Sequence, residues 1–348
     1  MKNIVLLLIL FALLSCSKKY EVTDFPSFTT IELEKESLID EGCYFDMMCI
    51  ADSVVLLKAE CDTFFFHLYN SKDLRFIDKF GEKGQGPGDF QFPFPYNNVT
   101  TKYPQSDTIV FFDMNLVCNK YINVKNILED TNGDNIRQEY LDEMLFYGKD
   151  LNFVKNNIII GSNINESKGL FFLYNKDCRD FKWIDFYPKI SADKRYLTSI
   201  YSGLICANEN KNTIAFGYRH FDGVSFYSMS GELKKAIFFT EPILPKLSLD
   251  FSGVSNKNPV YFSKIYGTPD RCYLMRIGRS LDDILNGSGL KSTIIEFDWE
   301  GTILNAFQFD NILSSFCVDE NGEYLYGVYS SDSVEDPYVH LLKFEIRK

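Results

Sequence analysis

One stretch of this chain crowds three chemically capable side chains together. Tyr218-Arg219-His220-Phe221-Asp222-Gly223 sets a cation, an imidazole and a carboxylate side by side between two apolar runs. A polar segment so placed reads as a hairpin tip, and tips are where folds present binding groups. Such a set reads as a rim or channel cluster, the alternative being a solvated hairpin loop. Arg195, Tyr196 and Arg276 are further donors that a ring of loops could bring to the same mouth, so Arg195, Tyr196, Arg219, His220, Asp222 and Arg276 make up the candidate ligand rim. His67 and His340 lie in apolar strands beside aromatic residues and read as packed.

Recognised catalytic spacings are missing. The chain has neither a G-x-S-x-G elbow nor H-E-x-x-H, so no catalytic residue is assigned. Asp130-Thr131-Asn132-Gly133-Asp134 opens like a calcium loop, but Asn135 and Leu141 stand where that loop needs Gly and Glu. No metal and no cofactor is expected. Besides Cys16, the cysteines are Cys43, Cys49, Cys61, Cys118, Cys178, Cys206, Cys272 and Cys317, without a C-x-x-C pair. Most sit in apolar runs and read as small core residues, with one local bridge among Cys43, Cys49 and Cys61 as a side expectation. A net charge of −12 leaves no basic excess for binding nucleic-acid phosphates.

The N-terminus supplies an address. Lys2 precedes an unbroken apolar run from Ile4 to Leu14, too short to span a bilayer, which takes about 20 residues. Leu13-Leu14-Ser15-Cys16 resembles a bacterial lipobox, which implies cleavage of residues 1–15 and lipid on Cys16. Several acyl chains anchor a protein stably, so contact with the membrane is expected only through that lipid. In lipoproteins of this type a Ser such as Ser17 after the Cys implies the outer membrane, and Lys18-Lys19 in place of an acidic run implies its periplasmic face.

The elements that position the rim follow from an internal repeat. A polar or small pair precedes a β-rich run at Val54, Ile109, Ile158, Ile214, Tyr273 and Tyr324, at intervals of 55, 49, 56, 59 and 51. A second motif, an aromatic strand followed by a polar turn, recurs near Phe66, Phe172, Phe226 and Phe297, with Phe112-Asp113-Met114-Asn115 as a weaker copy. Six units with two hairpin-related strand pairs each predict an all-β, six-bladed β-propeller with about four antiparallel strands per blade. Residues 27–348 form it, residues 16–26 being the lipidated Cys and its tether. An open ring needs closing. Phe28–Leu33 alternates like a strand and is expected to complete the last blade. Helical signal is confined to Gln138–Tyr147 and to Ser280–Leu285, the latter with Ser280 as N-cap.

Phe80-Gly81-Glu82-Lys83-Gly84-Gln85-Gly86-Pro87-Gly88-Asp89-Phe90 resembles the G-x-x-G-x-G-P-G-x-F signature of six-bladed TolB-like or NHL-like propeller lipoproteins of Gram-negative bacteria. The resemblance implies a propeller of the cell envelope, and that group has no agreed catalytic residues to carry over. Gly81, Gly84, Gly86, Pro87, Gly88 and Phe90 read as a structural link between blades, since the run lacks a phosphate loop's Lys and opens no helix. The expected function is non-catalytic binding of a protein, peptide or glycan partner in the envelope. The alternative is a propeller lyase or hydrolase with its site at the channel mouth.

Overall fold

The computed structural model describes residues 20–347 except 30, 40–43, 51–52, 60–61, 87, 97–107, 129–135, 147, 155–156, 164–167, 249–252, 286–290 and 331–337. The signal segment, Cys16, Cys43, Cys61, Pro87 and the calcium-like run at 130–134 lie outside the described residues. Two strands precede the blades, β1 (Glu21–Val22) and β2 (Glu32–Ile39). Blade 1 holds β3 (Tyr44–Ile50), β4 (Val54–Ala59), β5 (Phe64–Asn70) and β6 (Phe76–Glu82). Blade 2 holds β7 (Pro93–Pro95), β8 (Thr108–Asp113), β9 (Cys118–Asn123) and β10 (Ile136–Tyr140). Blade 3 holds β11 (Gly148–Val154), β12 (Ile158–Asn163), β13 (Phe171–Asn175) and β14 (Asp180–Ile184). Blade 4 holds β15 (Gly203–Asn208), β16 (Thr213–Tyr218), β17 (Gly223–Tyr227) and β18 (Leu233–Phe238). Blade 5 holds β19 (Pro259–Gly267), β20 (Arg271–Ser280), β21 (Ser292–Asp298) and β22 (Ile303–Phe309). Blade 6 holds β23 (Ser315–Val318), β24 (Tyr324–Ser330), β25 (Val339–Glu345) and, from the other end of the chain, β2.

The molecule is therefore a six-bladed, all-β propeller. Each repeat anchor falls at the start of a blade's second strand, and this explains its composition. Inner and middle strands are covered on both faces by neighbouring blades, so they read as continuous apolar runs. Every residue of β15, β16 and β17 is buried. Outermost strands alternate, as β14 does with its exposed Asp180 and Lys182. Phe112–Asn115 is the end of β8 and its turn into β9, so this copy marks the second strand of blade 2 and not its third.

The N-terminal strand closes the last blade, antiparallel to β25 from Glu32 opposite Glu345 to Ile39 opposite Val339. It starts later than Phe28. Thr29 instead bridges Phe307 on the rim of blade 5, and β1 runs parallel to β18 on the rim of blade 4. The incoming chain thus crosses two blade edges before it pairs with the third. On β2, Glu34 meets Lys343 at 3.0 Å and Glu36 meets His340 at 2.5 Å, a charged edge that discourages pairing with another sheet. His67 is likewise packed, between the Tyr44 hydroxyl and Asp62.

The two helical expectations part ways. Leu281–Leu285 is a helix, and the Ser280 hydroxyl and the Asp283 carboxylate cap each other's backbone N–H. Gln138–Tyr140 belongs instead to β10, the outer strand of blade 2, followed by a single 3-10 turn at Glu143–Leu145. Good helix formers yield there to a ladder with β9 that satisfies the backbone, reinforced by Arg137 stacked 4.0 Å from the Tyr121 ring. Among the described residues no helix is long and apolar enough to cross a membrane.

Candidate functional site

First strands line the propeller axis, and three of them break register. The breaks lie between Tyr44 and Asp46 in β3, between Lys149 and Asn152 in β11, and on either side of Phe262 in β19. A bulge adds a residue to one strand and re-aims side chains. Blades 1, 3 and 5 so deliver Asp46, Lys149, Asp150, Ser263 and Lys264 to an axial cavity of about 350 Å³, while blades 2 and 4 give it an apolar wall that includes Phe94, Tyr96 and Leu204. Lys264 is hydrogen-bonded to Asp46. Asp150 sits at φ +50°, a left-handed conformation Asp tolerates better than most residues.

Above this cavity, sharing Lys149 and Arg219 with it, a cleft of about 620 Å³ opens between blades 3, 4 and 5. Its lining includes Lys149, Arg195, Arg219 and His220 among Ser, Thr and Asn residues, while Tyr201 and Asn258 border it with their polar groups engaged by Pro188 and by Lys246 and Ser255. None of the described lining residues is Asp or Glu. In a chain of net charge −12 that is a local reversal of sign.

Folding of the 219–222 tip sets which groups face the cleft. Arg219 is pinned through its backbone, donating N–H to Ser202 at 2.9 Å and accepting from Tyr261 at 2.8 Å. Its side chain lines the cleft, as does that of His220, while Phe221 enters the core and Asp222 turns under it, 2 % exposed. Among the described residues, Arg219 Nε, His220 Nδ1, Asp150 Oδ2 and Ser263 Oγ are buried atoms with no hydrogen-bond partner. Burial pushes the His220 imidazole down to about 4, against a hydrogen bond to the Pro259 carbonyl and with help from the Arg219 charge. The ring is neutral at pH 7, and with Nε2–H donating to Pro259, Nδ1 remains an acceptor. Asp150 draws the Lys149 ammonium up, but burial and Arg219 outweigh it and the group lies below the ordinary lysine range. Burial raises the Asp150 carboxyl against the pull of Lys149, Arg219 and Lys264.

Of the six rim candidates, Arg195, Arg219 and His220 line the cleft. Arg195 stands at the edge, 75 % exposed, its guanidinium fork held by Asp193, whose carboxyl is lowered to about 2 by that contact. Tyr196 is buried in the core between blades 3 and 4. Asp222 and Arg276 lie elsewhere. Arg276 donates to both Asp222 oxygens at 2.8 and 2.7 Å and stacks on Phe25 at 4.8 Å, tying blade 4, blade 5 and the N-terminal segment together.

The glycine run links blade 1 to blade 2. Gly81, at φ +73°, leaves no room for a Cβ, which would meet the Phe66 ring at 2.6 Å. Asp89 folds back onto the loop, accepting from Gly86 N–H at 2.7 Å, and a Cβ on Gly84 would strike its carboxylate. Gly88 starts the return of the loop, and Phe90, fully buried, packs edge-on against Phe66 and Phe111.

Sequence reading passed over Asp46, Lys149, Asp150 and Lys264. Their signal was present, since Asp46, Lys149 and Lys264 stand eight or nine residues before the repeat anchors Val54, Ile158 and Tyr273. That offset marks an inner strand, where a charge has no bland reason to be.

No protein-family model matches the sequence, and no curated protein matches it. The structure is similar to a member of the DUF4221 family from Bacteroides vulgatus, with TM-score 0.63 and 13 % identity over 90 % of this chain and 97 % of that one. It is also similar to a Bacteroides fragilis protein described, provisionally, as exported, with TM-score 0.53 and 15 % identity over 94 % of this chain and 99 % of that one. At such identities what is shared is the propeller fold itself.

Proposed function

We propose that this propeller is a lipid-anchored binding module of the cell envelope, of the TolB-like or NHL-like kind, whose cleft receives the acidic part of a peptide or glycan. One observation carries the reading: the described residues that line the cleft include Lys149, Arg195 and Arg219 and no carboxylate, with Asp193 beside Arg195 at the edge, in an acidic protein. Charge-assisted hydrogen bonds to an anion are about twice as strong as neutral ones, and Arg219 Nε has no competing partner among the described residues. The volume suits a ligand of a few sugar rings or residues. Cys16 and the run before it support the anchor, Ser17 and Lys18-Lys19 an outer-membrane lipoprotein facing the periplasm.

The alternative, an envelope lyase or hydrolase, draws on neutral His220 with its vacant Nδ1. A general base is ordinarily oriented by a third group. Here the orienter is the Pro259 carbonyl, and the carboxylate of Asp222 is engaged by Arg276. That supports binding over turnover. Calorimetric titration with a uronic-acid tetrasaccharide, an acidic tetrapeptide and neutral counterparts of both tests the reading. An acidic member should bind, its neutral counterpart should not, and the bound ligand should be recovered intact after prolonged incubation. Equal binding of neutral ligands sinks the anion reading, and shortened or unsaturated products establish the enzyme.

A further inference from the structure

The ring closes twice, and only the outer closure is backbone pairing. At the outer edge β2 pairs with β25, and at the inner edge β23 of the last blade lies against β3 of the first. There Cys49 Sγ and Cys317 Sγ approach to 3.3 Å. We propose that Cys49 and Cys317 are a modification site, oxidised to a cystine that staples the first blade to the last at the channel side of the ring.

A disulfide needs its sulfurs at about 2.05 Å, so they must close by little more than an ångström. The bond would join residues 268 positions apart, tying β3 to the part of blade 6 that the C-terminal end of the chain supplies, whereas the chain itself enters blade 1 from β2, across the β2–β25 seam. Among the described residues the β2–β25 seam is held by backbone hydrogen bonds and the Glu34–Lys343 and Glu36–His340 pairs, so a cystine at Cys49 and Cys317 would add a covalent tie across the same closure.

Accessibility orders the chemistry. Cys49 is half-buried and Cys317 fully buried. An oxidant of the disulfide class, such as glutathione disulfide or an envelope thiol oxidase, therefore meets Cys49 first. The Cys49 thiolate attacks the oxidant's S–S bond, forming a mixed disulfide and expelling one thiolate. The Cys317 thiolate then attacks the Cys49 sulfur, forming the protein disulfide and expelling the second thiolate. The protein loses two protons and two electrons, and the oxidant leaves as two thiols. The buried thiols of Cys118, Cys206 and Cys272 are raised by burial, to about 11, to about 12 and well upward respectively, which leaves them poor nucleophiles. Cys178 is exposed on a turn, and exchange with glutathione disulfide there ends at the mixed disulfide with release of one glutathione thiol, since no described cysteine lies against it. The site is independent of the ligand reading above.

The test uses the purified full chain, reduced, desalted, exposed to glutathione disulfide, and quenched with N-ethylmaleimide before non-reducing peptide mapping. The expected product carries a peptide pair joined through Cys49 and Cys317 and is two hydrogens lighter. Its Tm should exceed that of the reduced protein by roughly 5–10 °C, from the long loop closed and the size of the chain. The shift should vanish in Cys317→Ser. The map of the unmutated protein decides even where that variant folds poorly. Maleimide on both Cys49 and Cys317 after oxidation, or Cys49 joined to a different cysteine, overturns the proposal.

Discussion

Four consecutive residues of one hairpin tip meet opposite fates. Arg219 and His220 face a polar cleft with buried nitrogens left unpartnered, whereas Phe221 and Asp222 turn inward, Asp222 fully engaged by Arg276. Arginine, histidine and aspartate look equally functional in a string of letters. What separates a binding group from a structural one is whether its hydrogen-bonding capacity is used up inside the fold. The Asp222–Arg276 pair is bidentate, stacked on an aromatic ring and 1 % exposed on its acidic side. Arg219 keeps a donor in reserve, and leaving one buried is costly, so an anion that accepts from it gains what the fold gave up.

The largest effect should come from breaking the satisfied side. Arg276→Ala strands a buried carboxylate and should lower stability by about 3 kcal/mol in urea denaturation. Arg219→Ala removes an unsatisfied cation and should leave stability within about 0.5 kcal/mol of the parent. If both variants lose equal stability, the division of the tip into a structural and a binding half is wrong. The next effect inverts the ranking. Arg219→Gln should weaken an acidic ligand about 10- to 100-fold, the range of one charge-assisted hydrogen bond, while Arg276→Lys, if folded, should bind as the parent does by calorimetry.

His220 sharpens the comparison through pH. Its pKa is about 4 in the fold and about 6.5 in the unfolded chain, so the unfolded state binds more protons between those values. Stability should therefore be full above pH 6.5 and fall as pH drops toward 4, by on the order of 1–2 kcal/mol. Urea midpoints measured across that range should flatten in His220→Gln. A bound anion favours the imidazolium, so a sulfonate, which does not itself titrate here, should bind more tightly at pH 5 than at pH 8.

The architecture was legible because a propeller writes its period into the chain. Where their burial is described, second strands are mostly buried, and each follows a polar or small pair, so Val54, Ile109, Ile158, Ile214, Tyr273 and Tyr324 recur at near-constant spacing. The tip 218–223 was legible as a polar break between apolar runs. Which of its charges were already paired was not, since the partner of Asp222 lies 54 residues away on another blade. The channel charges were legible by their offset from the anchors, but not the face each one takes. A bulge at Lys149–Asn152 changes which face each residue occupies, and alternation read from sequence carries no sign of the extra residue. The stretch at Gln138–Tyr140 misled for the complementary reason, its local helix preference being overruled by a strand partner that only the fold supplies.

The smallest predicted effect is the sharpest in sign. Arg195 stands at the cleft edge, yet its fork is closed on Asp193, so it belongs by position with Arg219 and by bonding with Arg276. The pair is exposed, and exposed ion pairs add little to a fold. Asp193 also caps the turn Lys194–Tyr196, accepting from Arg195 N–H at 3.0 Å, a role Asn can keep. Asp193→Asn should therefore leave the thermal midpoint unchanged and strengthen an acidic ligand about two- to threefold, as a weakly held guanidinium is released to the cleft. A carboxylate that competes with the ligand for Arg195 predicts this gain. A carboxylate that holds Arg195 in its binding pose predicts a loss, and calorimetry on the one variant separates the two.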